Sequence, residues 1–245
     1  MIGGSDGPVV VLSPHLDDAV LSAWDVVRSG AQVVVVFAGI PAEGTTGQFD
    51  PIFGATDSAA LVRERRAEDL GALGRVGIVP THLDHLDDQY RIAPIDAAVL
   101  VESIGSATAG SSALVAPAGI GRHPDHVAVR DAAIEVAGAA RIDLWLYADL
   151  PYATNLGWPS WVTGEEPDPR LVPDAAWARV LREVAPADEL VPLAVRFDDV
   201  EREAKLAAAR CYASQWPALE GGPNRRISNP AIASFEVRWR LRPST

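Results

Sequence analysis

Residues 8–18 read Pro-Val-Val-Val-Leu-Ser-Pro-His-Leu-Asp-Asp, and this stretch indicates the fold. Three valines and a leucine in succession predict a strand that is buried on both faces. Pro14 ends the strand, and the six residues that follow Asp18 (Ala-Val-Leu-Ser-Ala-Trp) have the spacing of a helix. His15, Asp17 and Asp18 therefore lie where a buried strand passes into a helix. In open α/β sheets ligands bind at this carboxyl edge, so the three side chains are candidates for chemistry.

Strand and helix patterns alternate through the first 150 residues. Predicted strands cover residues 9–12, 32–37, 78–83, 113–116 and 144–148, and predicted helices cover residues 17–29, 58–73, 95–108 and 125–139. Such alternation forms right-handed βαβ units, so we predict an α/β fold with a Rossmann-like, mainly parallel sheet flanked by helices. In the common doubly wound order 3-2-1-4-5, the first and fourth strands are neighbours, and a crevice lies at their carboxyl ends.

The chain after residue 150 is less regular. Residues 189–197 and 235–241 look like strands, and Pro192 demotes the first of them to an edge of the sheet. Residues 200–212 predict an amphipathic helix with Val200 on its apolar face. Repeats, low-complexity tracts and clear linkers are absent from the sequence, so we predict a single domain over all 245 residues.

The composition excludes several classes of function. The formal net charge is −12 at pH 7, which argues against nucleic acid as a partner because phosphate binding needs a basic face. The sequence has no apolar run of about 18 residues and no export signal, so we expect no membrane span. A single cysteine fits a reducing compartment, and we predict a cytoplasmic protein.

A second polar cluster follows the predicted fourth strand, where residues 121–126 read Gly-Arg-His-Pro-Asp-His. In the sheet order above, this turn faces the first turn, so His15, His123 and His126 converge with the two adjacent aspartates. A catalytic zinc takes three protein ligands and keeps one position open, and two imidazoles and one carboxylate meet that need. Zinc lowers the pKa of its water to about 7, and the other aspartate can then serve as general base.

These residues resemble the motifs of the PIG-L (LmbE-like) zinc deacetylase family, also called the GlcNAc-PI de-N-acetylase family. The family's first motif, Pro/Ala-His-Pro-Asp-Asp-Glu, resembles residues 14–19, and its second, His-Pro-Asp-His, is the sequence of residues 123–126. Weaker similarities occur at residues 63–74, 86–88, 147–152 and 205–215. The resemblance therefore spans nearly the whole chain.

The resemblance implies a role for each residue of the two motifs. His15, Asp18 and His126 would bind one Zn²⁺ per chain, although other divalent ions fit the same ligands. Asp17 would be the general base for the attacking water, and His123 would act as an acid or stabilise the oxyanion. The residues that are expected to orient a histidine, to hold the oxyanion or to bind substrate are Asp125, Arg122, Asp87 and Asp149.

The chain departs from the family pattern at three positions. Leu16 replaces the second proline of the first motif and Ala19 replaces its glutamate, but neither is a metal position. Gly121 stands where the mycothiol-pathway members carry a tyrosine that helps to hold the oxyanion. The glycine disfavours a mycothiol-type substrate and favours a sugar-bearing secondary metabolite.

The resemblance implies a zinc-dependent hydrolase that removes the acetyl group from an N-acetylated, GlcNAc-type amino sugar in a glycoconjugate or a glycosylated secondary metabolite.

Two alternatives remain from the sequence. The first is an amidase that cleaves a larger acyl group or a thiol conjugate of a sugar. The second is a non-catalytic module that binds zinc or a ligand, with Ala19 as a sign of lost activity. The expected partner is a small-molecule or glycoconjugate substrate, and a homo-oligomer is compatible with the sequence. Two long loops, residues 39–56 and 151–174, are expected to form the walls of the substrate site.

Overall fold

The structure is a computed structural model that describes residue 2 and residues 7–166, 173–221 and 227–242. At its centre lies a seven-stranded sheet. The strands are β1 (Val9–Ser13), β2 (Gln32–Val35), β3 (Thr81–His82), β4 (Ala113–Pro117), β5 (Asp143–Tyr147), β6 (Leu190–Arg196) and β7 (Phe235–Leu241). None of the helices in the described segments has the length and apolarity that crossing a membrane requires.

The strand order β3-β2-β1-β4-β5-β7-β6 places β1 and β4 side by side. The five strands from β3 to β5 in this order are parallel to one another. The predicted α/β fold and the doubly wound order of its first five strands are thus confirmed. Because Val11 pairs with Val115, the ends of β1 and β4 reach the same edge of the sheet. The two polar turns therefore begin next to each other.

The central strands are buried on both faces because their side chains are almost all apolar. Val11, Leu12, Val35 and Leu114 have no exposed surface. Branched side chains suit a pleated surface that is covered on both sides, as expected for strands at the centre of a parallel sheet.

The described segments contain ten α-helices and three short 3₁₀ helices. The α-helices are α1 (Asp18–Ser22), α2 (Trp24–Arg28), α3 (Ser58–Gly74), α4 (Ala97–Ala107), α5 (Pro124–Ala140), α6 (Ser160–Thr163), α7 (Pro173–Leu181), α8 (Asp199–Ala209), α9 (Trp216–Leu219) and α10 (Pro230–Ala233). The 3₁₀ helices are Asp50–Phe53, Asp88–Tyr90 and Tyr152–Leu156. Side-chain caps begin α3, α4 and α5, where Asp57, Asp96 and His123 accept backbone N–H groups of the first turn.

The single helix predicted over residues 17–29 is instead two helices, with a break at Ala23. The Glu236 carboxylate on β7 accepts the backbone N–H groups of Trp24 at 2.8 Å and Asp25 at 3.0 Å. These bonds satisfy N–H groups that begin a new helix, so α2 starts there. Glu236 also forms a 2.7 Å ion pair with Lys205 of α8, and both side chains are buried.

The C-terminal part extends the sheet with antiparallel strands. β7 lies between β5 and β6, which makes β6 the edge strand that Pro192 predicts. The predicted apolar face of α8 is wrong at Val200, whose surface is 78% exposed. The buried face of this helix instead contains Lys205 and Leu206, because Lys205 reaches the carboxylate of Glu236.

Candidate metal centre

A cavity of about 490 Å³ opens at the carboxyl ends of β1 and β4. The turn after β1 places His15, Asp17 and Asp18 in its lining, and the turn after β4 places His123 and His126 there. Asp18 and His126 are buried, whereas the other three side chains are partly exposed. The structure therefore brings together the five residues predicted as metal ligands or catalytic groups.

Three of these side chains converge at a spacing that suits a metal ion. Asp18 Oδ2 lies 3.3 Å from His15 Nδ1 and 3.3 Å from His126 Nε2. Two atoms that bind one zinc tetrahedrally, each at roughly 2.0–2.1 Å, are about 3.3 Å apart. The three ligand atoms all lie within 4.8 Å of one another. The donor set therefore fits a zinc ion with its fourth position open.

One ring nitrogen of His126 faces this centre, and the other is hydrogen-bonded to a carboxylate on the far side of the ring. Its Nε2 is buried and has no hydrogen-bond partner among the described residues, as expected for a ligand atom. Its Nδ1 lies 2.7 Å from Asp149 Oδ1, and Asp149 also accepts the backbone N–H of Ile120 at 2.8 Å. Asp149 is fully buried, so the structure places it behind His126 and not at a surface that could meet substrate.

Asp125 holds His15 in the same way. Its Oδ2 lies 3.0 Å from His15 Nε2 and also accepts the backbone N–H of Asp88 at 3.0 Å. Its Oδ1 accepts a 2.6 Å hydrogen bond from Arg91. Arg91 was not identified from the sequence, because only folding brings the turn after β3 against the start of α5.

A second set of donors within 4.8 Å consists of His15, His123 and Asp125. The Asp125 carboxylate in this set is already bonded to Arg91 on one oxygen and to a backbone N–H on the other. A metal at this second set would compete with both bonds, so the geometry favours the set that contains Asp18 and His126.

The adjacent aspartates lie in different environments. Burial raises the pKa of Asp18, but the charge of His126 and the hydrogen bond and charge of His15 outweigh burial and lower this pKa to about 2. Burial and the negative charge of Asp18 raise the pKa of Asp17 to about 6. No hydrogen bond or ion pair joins the Asp17 carboxylate to another described side chain. Asp18 is therefore suited to be an ionised ligand, and Asp17 to exchange a proton.

His123 is the N-cap residue of α5. Its Nδ1 accepts the backbone N–H of Asp125 at 3.2 Å, which leaves the proton of the neutral ring on Nε2. Burial and the charges of His15 and His126 lower the pKa of His123. The ring is therefore a neutral hydrogen-bond donor at the edge of the cavity.

Of the two remaining residues predicted at the site, Asp87 lies in the cavity and Arg122 lies outside it. Asp87 lines the cavity, and its Oδ2 lies 3.9 Å from His15 Nε2. Arg122 does not line this cavity; its side chain is 76% exposed and forms a 2.5 Å ion pair with Glu183. Gly121 and Arg122 both have positive φ, 88° and 59°, so the turn directs the arginine away from the metal centre.

The walls of the cavity come from elements that the sequence motifs did not mark individually. Arg65 of α3 lies over the Phe53 ring at 4.6 Å from its centroid, and both residues line the cavity. Tyr212, after α8, also lines the cavity and donates a 2.8 Å hydrogen bond to Asp69 of α3. Tyr152, after β5, lines it as well. The sequence predicts Phe53 and Tyr152 only as members of the 39–56 and 151–174 loops, and residues 167–172 of the second loop lie outside the described residues. It marks Arg65 and Tyr212 only through the weak similarities around residues 63–74 and 205–215.

This combination of fold and site defines a class of protein. An open α/β sheet carries, at one carboxyl edge, a zinc-type ligand set, a carboxyl group with a raised pKa and a neutral imidazole donor, and these are the parts of a metal-dependent hydrolase. The family model described as PIG-L, GlcNAc-PI de-N-acetylase, matches residues 10–137, which is more than half of the chain. The chain belongs to this family and is a metal-dependent enzyme.

Solved structures agree with the family assignment. The A40926 pseudoaglycone deacetylase Dbv21 is 27% identical, with 98% of this chain and 100% of that chain covered and a TM-score of 0.73. The zinc-inhibited form of teicoplanin deacetylase Orf2 is 26% identical, with coverages of 97% and 98% and a TM-score of 0.72. The N,N'-diacetylchitobiose deacetylase from Pyrococcus horikoshii shares the fold at 19% identity, with coverages of 86% and 72% and a TM-score of 0.50. A search among curated proteins found no match.

Proposed function

We propose that this enzyme is a zinc-dependent N-deacetylase that hydrolyses the acetamide of a GlcNAc-type amino sugar on a glycoconjugate or a glycosylated secondary metabolite. One observation carries the proposal: a three-donor metal set shares one cavity with an Asp17 carboxylate that no other side chain in the described segments bonds. The relatives at 26–27% identity are described as A40926 pseudoaglycone and teicoplanin deacetylases. We therefore favour a glycosylated secondary metabolite as the substrate class.

The chain's own residues can perform the proton transfers of this reaction. Zinc held by His15, Asp18 and His126 would supply a Lewis acid that polarises the acetyl carbonyl and acidifies water. Asp17 accepts a proton from the attacking water as the water oxygen bonds to the acetyl carbon. His123 donates a hydrogen bond from Nε2 to the carbonyl oxygen as it becomes negative. The C–N bond then breaks, the proton on Asp17 passes to the amine nitrogen, and acetate leaves.

An amidase that cleaves a larger acyl group is the second candidate. Phe49 and Phe53 line the same cavity, and Phe49 is 47% exposed. An apolar wall of this kind suits a longer acyl chain as well as the apolar part of a secondary metabolite. Acyl length is therefore the property that an assay has to determine. A single domain, a cytoplasmic location and a homo-oligomer stay predictions from the sequence.

The test is an acetate-release assay with the zinc-loaded protein on a panel of N-acetylated and N-fatty-acylated glucosaminides. We expect acetate release by the wild type, and Asp17→Asn should keep one zinc per chain while its turnover falls about 10²- to 10⁴-fold. Asp96→Asn is the control, because this residue caps α4 and does not line the cavity. Release of fatty acid without acetate would support the amidase instead. Zinc binding without any hydrolysis would support the non-catalytic module.

A further inference from the structure

Among the described residues, the Tyr152 hydroxyl has no hydrogen-bond partner. The sequence contains four tyrosines, and the hydroxyls of the other three donate to Asp50 (Tyr90), to the Leu12 carbonyl (Tyr147) and to Asp69 (Tyr212). Tyr152 makes no such bond with any residue in the described part of the chain. A partly buried phenol usually finds a partner, so a free one at the edge of a cavity is available to a ligand.

The Tyr152 ring lies beside the reacting end of the cavity. Its centroid is 5.3 Å from that of His126, which binds the metal in our assignment, and 6.2 Å from that of His123. The ring stands nearly perpendicular to His126, at 85°. Tyr152 lines the same cavity as Asp17 and His15. A substrate whose acetyl group lies between the metal ligands and Asp17 therefore has this phenol beside it.

Gly121 makes this position of the ring feasible. A Cβ atom added at Gly121 would lie 2.7 Å from Cβ, Cγ and Cδ1 of Tyr152, closer than atoms can approach. The ring thus packs against a residue that has no side chain, and Gly121 also has a φ of 88° that favours glycine. The Tyr152 ring therefore occupies the space that a side chain at residue 121 would fill.

We propose that Tyr152 is a further catalytic residue, which donates a hydrogen bond to the acetyl carbonyl oxygen as that oxygen becomes negative. This inference rests on the proposed deacetylase function. In the reaction, the water oxygen bonds to the acetyl carbon, the C–N bond breaks, and the water proton passes through Asp17 to the amine. The phenol keeps its own proton and shares it with the oxygen, beside the Nε2–H of His123. Donors aimed at the charge that develops stabilise the transition state more than the ground state.

The experiment compares the zinc-loaded wild type with Tyr152→Phe, on p-nitrophenyl N-acetyl-β-D-glucosaminide as the probe. We expect kcat to fall roughly 100-fold, with KM within about 2-fold and zinc content unchanged. A methylphosphonamidate of glucosamine, which mimics the tetrahedral state, should bind Tyr152→Phe much more weakly, whereas the free amine product should bind equally well. The control is Tyr147→Phe, which removes a buried hydroxyl that bonds to the Leu12 carbonyl and does not line the cavity.

A second variant, Gly121→Ala, keeps the phenol but displaces the ring, and we expect kcat to fall in the same direction. Unchanged kcat and unchanged affinity for the phosphonamidate in Tyr152→Phe would overturn the proposal. An equal loss of zinc, product binding and activity would also overturn it, since that pattern marks a structural role. If the wild type itself releases no acetate from the probe or from the acetylated panel, the deacetylase function fails, and this inference fails with it.

Discussion

Each histidine of the metal set has one nitrogen directed to Asp18 and the other held by a fully buried carboxylate. Asp125 holds His15 at 3.0 Å, and Asp149 holds His126 at 2.7 Å. Both carboxylates are also bound by backbone N–H groups, which fixes their orientation. Such partners decide which nitrogen is free to bind metal and raise its basicity. The turns after β1 and β4 therefore supply the ligands, and Asp125 and Asp149 orient the two histidines.

At the residue scale, we expect Asp149→Asn to weaken zinc binding about 10- to 100-fold, because an amide is a weaker acceptor for the Nδ1–H of His126. Competition with a chelator of known affinity measures the change, and thermal unfolding checks that the variant folds. Asp96→Asn should bind zinc like the wild type. Zinc affinity of Asp149→Asn within 2-fold of the wild type would show that this carboxylate does not support the ligand.

The sequence predicts His15, Asp18 and His126 as neighbours because chain order and sheet order together fix the ends of β1 and β4. It does not predict Arg91 as a neighbour of the site, and it places Tyr152 only within a loop that is expected to form a wall, because the course of both loops depends on the whole fold. The sequence offers Arg122, His123, a loop residue or the metal alone to hold the oxyanion, and the structure places the Arg122 side chain outside the cavity. Its left-handed backbone, which a sequence pattern does not reveal, turns the side chain outward.

At the scale of elements, the buried Asp50 carboxylate links the 39–56 loop to two neighbouring elements. Asp50 accepts hydrogen bonds from Ser58 at the start of α3 (2.5 Å), from the backbone N–H of Gly47 (2.8 Å) and from the Tyr90 hydroxyl (2.8 Å). The bonds from Ser58 and Tyr90 join the loop to α3 and to the turn after β3, and the bond from Gly47 lies within the loop. The neighbouring Phe49 and Phe53 are thereby positioned in the cavity wall.

We expect Asp50→Asn to lower the free energy of unfolding at pH 7 by about 1–3 kcal/mol. Burial raises the pKa of Asp50, but hydrogen bonds from Ser58, Gly47 and Tyr90 outweigh burial and lower it. A lowered folded-state pKa stabilises the protein fully above the unfolded value of about 3.9, and this contribution is lost as pH falls through the folded value. The difference between wild type and variant should therefore shrink as the pH falls below about 4.

Urea unfolding at a series of pH values measures this difference. The N-cap variant Asp57→Asn is the control, and it should change stability by less than about 0.5 kcal/mol, because asparagine caps helices as well as aspartate does. A difference between the wild type and Asp50→Asn that is equally large at pH 7 and pH 3 would contradict the role assigned to the ionised carboxylate.

Most strands and helices follow from local patterns, and the exceptions have distant causes. The break at Ala23 arises because Glu236, 212 positions beyond Trp24, supplies a carboxylate to the start of α2. The predicted strand over residues 78–83 is reduced to Thr81–His82, which pairs with β2 at the edge of the described sheet. The local sequence around Ala23 does not contain Glu236, and the sequence of β3 does not contain its partner β2. The helix break and the short strand therefore depend on the assembled sheet.

At the scale of the whole molecule, the C-terminal part completes the site that the first five strands begin. β7 and β6 extend the sheet, and the segment after α8 supplies Tyr212 and Gln215 to the cavity wall. Lys205, the only lysine in the chain, joins α8 to β7 through the buried carboxylate of Glu236. The metal ligands come from two turns near the first half of the sheet, while part of the substrate wall comes from the end of the chain.

The central claim is that one zinc ion binds His15 Nδ1, Asp18 Oδ2 and His126 Nε2. The measurement that tests it most directly is a crystal structure of the zinc-loaded protein with anomalous diffraction on both sides of the zinc edge. We expect one anomalous peak about 2.0–2.2 Å from these three atoms, with Asp17 near it but unbound. A peak bound to His15 Nε2, His123 and Asp125, or no peak at this edge of the sheet, would contradict the claim.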